Sequence, residues 1–104
     1  MARAADALEA DLDAVAELMT TEMGKTLVAA KAEATKCVTA LRFYAEHGPA
    51  YLEPERKDAG AVNAVEAYVT WQPLGVVLAV MPWNFPLWQA MRFAAPALMA
   101  GNVG

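Results

Sequence analysis

Residues 74–92, Leu-Gly-Val-Val-Leu-Ala-Val-Met-Pro-Trp-Asn-Phe-Pro-Leu-Trp-Gln-Ala-Met-Arg, constrain the fold of this chain more than any other stretch. An apolar run stops abruptly at Pro82-Trp83-Asn84-Phe85-Pro86, and a helical pattern carrying one positive charge, Arg92, follows. Val76-Val77-Leu78-Ala79-Val80 has the unbroken apolarity of a strand covered on both faces. Pro86 suits the first turn of a helix, where its missing N–H costs nothing. Polar side chains placed where a buried strand turns into a helix are typical of binding sites in α/β proteins.

The chain carries no charge from Ala67 to Met91, which is long enough to raise the question of a membrane span. Pro73, Pro82 and Pro86, together with Gln72, Asn84 and Gln89, argue against it, because they would leave polar groups unsatisfied in lipid.

The flanking pattern is helical. Leu8, Leu12, Val15 and Met19 recur at helical spacing over residues 4–20, and Gly24 is a plausible stop. A second helix is predicted from Thr26 to His47, with Leu27, Ala30, Ala34, Val38, Leu41 and Ala45 as its apolar stripe. Gly48-Pro49 should end or interrupt it, since proline disfavours helical geometry in the residue before it. Residues 53–61 read as a solvated connection. Val65, Ala67 and Val69 then alternate with Glu66, Tyr68 and Thr70, as in a half-exposed strand, until Pro73 breaks the pattern. The last helix runs from Pro86 to about Ala100, with a break expected at Pro96 and a cap at Gly101. The order helix, helix, strand, strand, helix fits the start of an α/β domain.

The apolar fraction, 58%, exceeds the roughly 45–50% of ordinary soluble domains. Some of this surface is therefore expected to be covered by something else. Met99-Ala100-Gly101-Asn102-Val103-Gly104 reads as a helix stop followed by the entry to another strand, so the chain is expected to be an internal piece. The net charge is −4 with no basic run, which argues against nucleic acid as a partner. One cysteine, Cys37, permits no internal disulfide and suits a reducing compartment. Met1-Ala2-Arg3 opens directly into a helical pattern without a signal peptide, and a cytoplasmic location is expected. No cluster of His, Cys or carboxylate residues has metal-ligand spacing, so no metal is expected.

Few residues can carry chemistry. An Asn84 amide can donate to an oxygen that gains negative charge, or it can cap a helix; Pro86 argues mildly against the cap. Trp83 and Phe85 can wall a tunnel or simply pack. Arg92 is the only charge after Glu66, set among Met91, Phe93, Ala94 and Ala95. Its partner is an acidic residue elsewhere, a ligand carboxylate, or solvent reached by snorkelling. Cys37 reads as a partly buried structural thiol whose pKa Lys36 lowers only slightly. His47 lies near a helix end and reads as surface or capping.

Taken together, Pro82-Trp83-Asn84-Phe85-Pro86, Pro73-Leu74-Gly75-Val76, Pro96-Ala97-Leu98-Met99-Ala100-Gly101-Asn102 and Glu22-Met23-Gly24-Lys25 resemble the NAD(P)-dependent aldehyde dehydrogenase superfamily over essentially the whole chain. Within it, Leu18-Met19-Thr20-Thr21-Glu22-Met23-Gly24-Lys25 and Phe93-Ala94-Ala95-Pro96-Ala97-Leu98-Met99-Ala100-Gly101-Asn102-Val103 are similar to runs of the bacterial succinate-semialdehyde dehydrogenases. The resemblance implies an incomplete piece of a Rossmann-like α/β cofactor-binding domain. Residues 1–61 would be its helical N-terminal part, 62–73 a bridging strand of the kind used at subunit contacts, and 74–104 the first strand–helix unit of the core. It also implies a catalytic role for Asn84 as donor to the oxyanion of a thiohemiacetal. Met81, Pro82, Trp83 and Asn84 would border the nicotinamide end of NAD or NADP. Phe85 would line the aldehyde tunnel, and Arg92 would hold the far carboxylate of the substrate. The nucleophilic Cys, the water-activating Glu and the ribose-binding Lys of the family would lie beyond Gly104, leaving this piece inactive alone and homo-oligomeric only at full length.

Two other readings compete: a non-catalytic helical interaction module of the same ancestry, and a membrane-associated hairpin built on residues 69–91. Continuation into a strand bearing Lys, and later Glu and Cys, separates the first from the enzyme. Detergent-free solubility of the extended chain removes the second.

Overall fold

A computed structural model describes residues 1–104. Its organising element is a long helix, α3 (Leu27–Tyr51), packed on one side by α1 (Ala2–Ala10) and α2 (Leu12–Met23) and on another by α4 (Pro86–Met99). A short antiparallel pair, β1 (Glu55–Lys57) and β2 (Ala67–Val69), lies between α3 and α4 in sequence. No helix is long and apolar enough to cross a membrane.

The apolar stripe read over residues 4–20 forms, but on two helices rather than one. Asp11, a poor helix former, leaves helical geometry at φ −102°, ψ 14°, and the chain bends there. The bend lets both segments lie along α3. Ala5 joins Val38, Leu41 and Ala95 in one core, while Ala16 and Met19 join Ala30 and Ala34 in another. Arg42 of α3 reaches Asp6 and Glu9 of α1, and Lys31 reaches Asp13 of α2. These exposed pairs set register more than they add stability.

Gly48-Pro49 does not end the second helix, which continues to Tyr51. The reason is tertiary. Gly48 is buried against Met99, so closely that a Cβ on it would sit 2.7 Å from Met99 Cε. Tyr44, Tyr51, Leu52, Pro96 and Ala100 surround the same contact. Pro96 likewise fails to break α4. It removes one N–H from the ladder, but Ala95 is anchored in the α1–α3 core, and Ala100 N–H still donates to Pro96 O at 3.0 Å. Gly101 then leaves the helix in the left-handed region, at φ +83°.

Residues 53–61 are not merely a connection, for they contain β1. Glu55, Arg56 and Lys57 pair with Val69, Tyr68 and Ala67, so the strand expected over 62–73 is reduced to Ala67–Val69. Asn63, at φ +51°, turns the intervening loop, and Arg56 meets Glu66 at 2.8 Å.

The largest departure is at Val76–Val80. The expected buried strand is a single parallel bridge, Val76 with Val103. Val77 N–H donates to Val103 O and Val103 N–H to Gly75 O. Asn102 locks this start: its Oδ1 accepts from Leu74 and Gly75 N–H, and its Nδ2 donates to Ala97 O. The result is a strand–helix–strand beginning with α4 as the crossover. Leu74, Val76, Leu78 and Val80 are each 84–88% exposed, because no neighbouring strand or helix lies over them. Only 11 of 104 residues are buried, which matches the excess of apolar residues in the composition.

Candidate active site

The Pro82-Trp83-Asn84-Phe85-Pro86 turn joins the Val76–Val80 segment to α4. Pro86 is the first helical residue and Phe85 the N-cap. No side chain of the turn caps the helix, which removes the capping alternative for Asn84. The Asn84 side chain is exposed and enters none of the hydrogen bonds within the chain; only its backbone O is engaged. An unspent amide donor thus stands at the end of the strand segment.

The N–H groups at the start of α4 find their acceptor on another helix. Glu33 of α3 is buried, and its Oε1 accepts from Leu87 N–H at 3.1 Å and Trp88 N–H at 2.9 Å. Pro86 has no N–H, and Gln89 N–H donates to Phe85 O, so the first turn is fully satisfied. The negative carboxylate also suits the positive end of the helix dipole.

Lys25 supplies the countercharge. Its Nζ forms an ion pair with Glu33 Oε2, donates to Asn84 O at 3.2 Å, and lies 3.7 Å from the centre of the Phe85 ring. The local sequence explains its aim. Gly24 closes α2 in the left-handed region at φ +76°, and Thr26 opens α3 by accepting from Ala29 N–H. Lys25 therefore occupies a tight corner between two helices, pointed at the start of a third. Sequence reasoning missed both Lys25 and Glu33 as site residues. A signal existed: Glu33 is the one carboxylate on the face made by Ala30, Ala34, Cys37 and Leu41.

The other expected site residues fall around this point. Trp83 is 75% exposed and Phe85 half-exposed within this chain. Trp83 and Pro86 line an open cleft of about 530 Å³ with Leu18, Met19, Glu22 and Met23. Met81 is half-buried and Pro82 exposed. Of the partners left open for Arg92, the structure shows no acidic residue of this chain and shows the side chain reaching solvent. Arg92 is exposed on α4 and has no carboxylate within ion-pairing distance, since Met91 and Ala95 take the inward face. Lys36 stacks over Trp88 at 4.0 Å on the flank of the site.

Cys37 is wholly buried rather than partly so. Burial, aided by the Glu33 charge, pushes its thiol up to about 11, outweighing the opposite pull of Lys36. It is not an available nucleophile. His47 stacks on Phe43 at 4.5 Å on the exposed side of α3, away from the turn.

The model of the aldehyde dehydrogenase family matches residues 1–104. The chain belongs to that family. Among the relatives of this aldehyde dehydrogenase chain is succinate-semialdehyde dehydrogenase [NADP(+)] of Mycobacterium avium, 67% identical over 100 residues, which cover 96% of the chain and 21% of the relative. A Mycobacterium tuberculosis enzyme, succinate-semialdehyde dehydrogenase [NADP(+)] 1, is equally similar, with 22% of its length covered. A solved succinic semialdehyde dehydrogenase of Streptococcus pyogenes, in complex with NADP+, superposes with a TM-score of 0.88 at 38% identity, covering 97% of this chain and 22% of that one. An NADP-dependent glyceraldehyde-3-phosphate dehydrogenase of Bacillus halodurans gives a TM-score of 0.82 at 31% identity, with 94% and 21% covered. The aldehyde dehydrogenase chain thus spans about a fifth of the length of these relatives, and its four helices and two-stranded sheet are an incomplete α/β domain by comparison.

Proposed function

We propose that this chain is the part of a succinate-semialdehyde dehydrogenase that supplies the oxyanion donor and the substrate-carboxylate anchor. The observation that carries the reading is the exposed Asn84 amide, unpartnered, on a turn whose backbone and following helix are held by Lys25 and Glu33. A preorganised donor of this kind stabilises charge that develops on a carbonyl oxygen.

Asn84 would donate its amide N–H to the aldehyde oxygen as it becomes negative. Phe85 would wall the aldehyde path. Arg92 would donate to the far carboxylate of the substrate, which provides an anion for a guanidinium without an internal partner. Met81, Pro82 and Trp83 would border the nicotinamide end of NADP, NAD being the other candidate. The fit rests on their place at the carboxyl end of the strand segment, where α/β domains bind nucleotides. When bound, that cofactor accepts the hydride. The oxidation yields the carboxylic acid through a thiohemiacetal and a thioester on a cysteine outside this chain, with a glutamate outside it activating water. Cys37 is buried and its thiol is held protonated, which supports inactivity of the chain by itself. The bridging role of residues 62–73 is proposed for contacts between subunits of a homo-oligomer, where the exposed β1–β2 ribbon would find cover.

The test is a chimera in which this chain replaces the matching stretch of the Mycobacterium avium relative. It should reduce NADP+ with succinate semialdehyde, while the 104-residue chain alone should not. A folded, NADP+-binding chimera that leaves succinate semialdehyde untouched would refute the reading.

A further inference from the structure

We propose that Lys25 and Glu33 are positioning residues for Asn84, a buried ion pair that locks the turn carrying the oxyanion donor onto the α2–α3 corner. This rests on the role proposed for Asn84 above. The Asn84 side chain has no hydrogen bond of its own, so its direction is inherited from the backbone. The hydrogen bond from Lys25 Nζ to Asn84 O is the polar tie that holds this turn to the helices beneath it. The same ammonium faces the Phe85 ring and neutralises Glu33, and Glu33 in turn grips the first two N–H groups of α4. Lys25 and Glu33 side chains are only 10% and 2% exposed, so the ion pair is shielded from water, while the bond to Asn84 O lies at its exposed edge. A shift of the turn that carries the start of α4 with it would leave the Leu87 and Trp88 N–H groups without their acceptor and cost the bond from Lys25 to Asn84 O.

Helix capping alone would need only Glu33. The second reach of Lys25, to the carbonyl of the residue whose amide is the donor, ties the pair to the geometry of that donor. Such donors must be held within about 0.5 Å of their productive place.

The experiment uses the chimera described above. Lys25→Met with Glu33→Gln removes the tie to Asn84 without leaving an unpaired charge, and the amide oxygen of the glutamine side chain can still accept from Leu87 and Trp88. We expect kcat for the aldehyde to fall about ten- to a hundredfold, as small misplacements do. In an Asn84→Ala background the same pair of changes should cost no further kcat, because the pair acts through Asn84. Losses that multiply across the cycle, or an unchanged kcat beside a large Asn84→Ala defect, would overturn the proposal. If the double variant fails to fold, Glu33→Asp, which keeps both charges but draws the carboxylate back by one methylene, carries the same cycle. Crystal structures of parent and variant give a readout without turnover. A displaced Asn84 supports the proposal and an unmoved one overturns it, even if the chimera proves inactive on succinate semialdehyde and only the functional reading fails.

Discussion

Replacing Arg92 by Ala separates substrate recognition from folding. Arg92 lies six residues after Pro86, and at 1.5 Å per residue the helix advances about 9 Å between them. Phe85, seven residues before it, is the N-cap of the same helix. An arginine side chain directed back toward the turn can span the distance to the far end of a four-carbon substrate whose aldehyde lies beside Asn84. Within the chain Arg92 has no ion pair to lose, unlike Arg42, which Asp6 and Glu9 hold. Its removal should therefore change stability by no more than about 0.5 kcal/mol, as for other surface sites. Loss of a charge-assisted hydrogen bond to the substrate carboxylate should cost about 1.5–3 kcal/mol. That corresponds to about ten- to a hundredfold in kcat/KM, mostly as a raised KM. The assay is NADPH formation by the Arg92→Ala chimera with succinate semialdehyde and with an uncharged aldehyde of similar length, together with a thermal melt. Equal losses on both aldehydes with a lowered melting temperature would refute the reasoning, because they would make Arg92 a structural residue.

Asn84→Ala should lower kcat by about 10²–10³-fold with little change in NADP+ affinity. Its melt should match the parent, since the Asn84 side chain makes no internal hydrogen bond. Glu33→Ala strips two N–H groups of their acceptor and leaves Lys25 unpaired, so it should destabilise the chimera by about 3–5 kcal/mol and lower its melting temperature well below that of Glu33→Gln. Cys37 should resist iodoacetamide at pH 8 until the protein unfolds. Its folded pKa, about 11, lies above the ordinary 9.0, so its contribution is complete below pH 9 and is lost as pH rises through 11, which melts taken across that window would show. The 104-residue chain expressed alone should bind hydrophobic dyes through Leu74, Val76, Leu78 and Val80, and a dispersed monomer with no dye binding would contradict this.

Local signals in the chain were sufficient where structure is local. The start of α4 at Pro86, with Phe85 as cap and Asn84 one residue outside the helix, follows from the missing N–H of proline. The stops at Gly24 and Gly101 follow from the left-handed backbone that glycine adopts freely. The turn at Pro82–Pro86 and the apolar stripe of α3, apart from the exposed Leu27, were legible for the same reason: each depends on residues within a few positions of one another. What the linear pattern did not determine depends on neighbours distant in sequence. Gly48-Pro49 and Pro96 read as breaks, yet packing between Gly48 and Met99 and the seating of Ala95 hold both helices intact. Val76–Val80 reads as a covered strand, but apolarity cannot supply the adjoining strands whose hydrogen bonds would make it one. Arg92 sits among apolar residues in sequence, while helical periodicity turns it away from them to solvent. Above all, only the tertiary structure joined Lys25 and Glu33 to Asn84. The first turn of α4 has N–H groups that no residue of its own can satisfy, and the acceptor that meets them is a buried carboxylate more than fifty residues away.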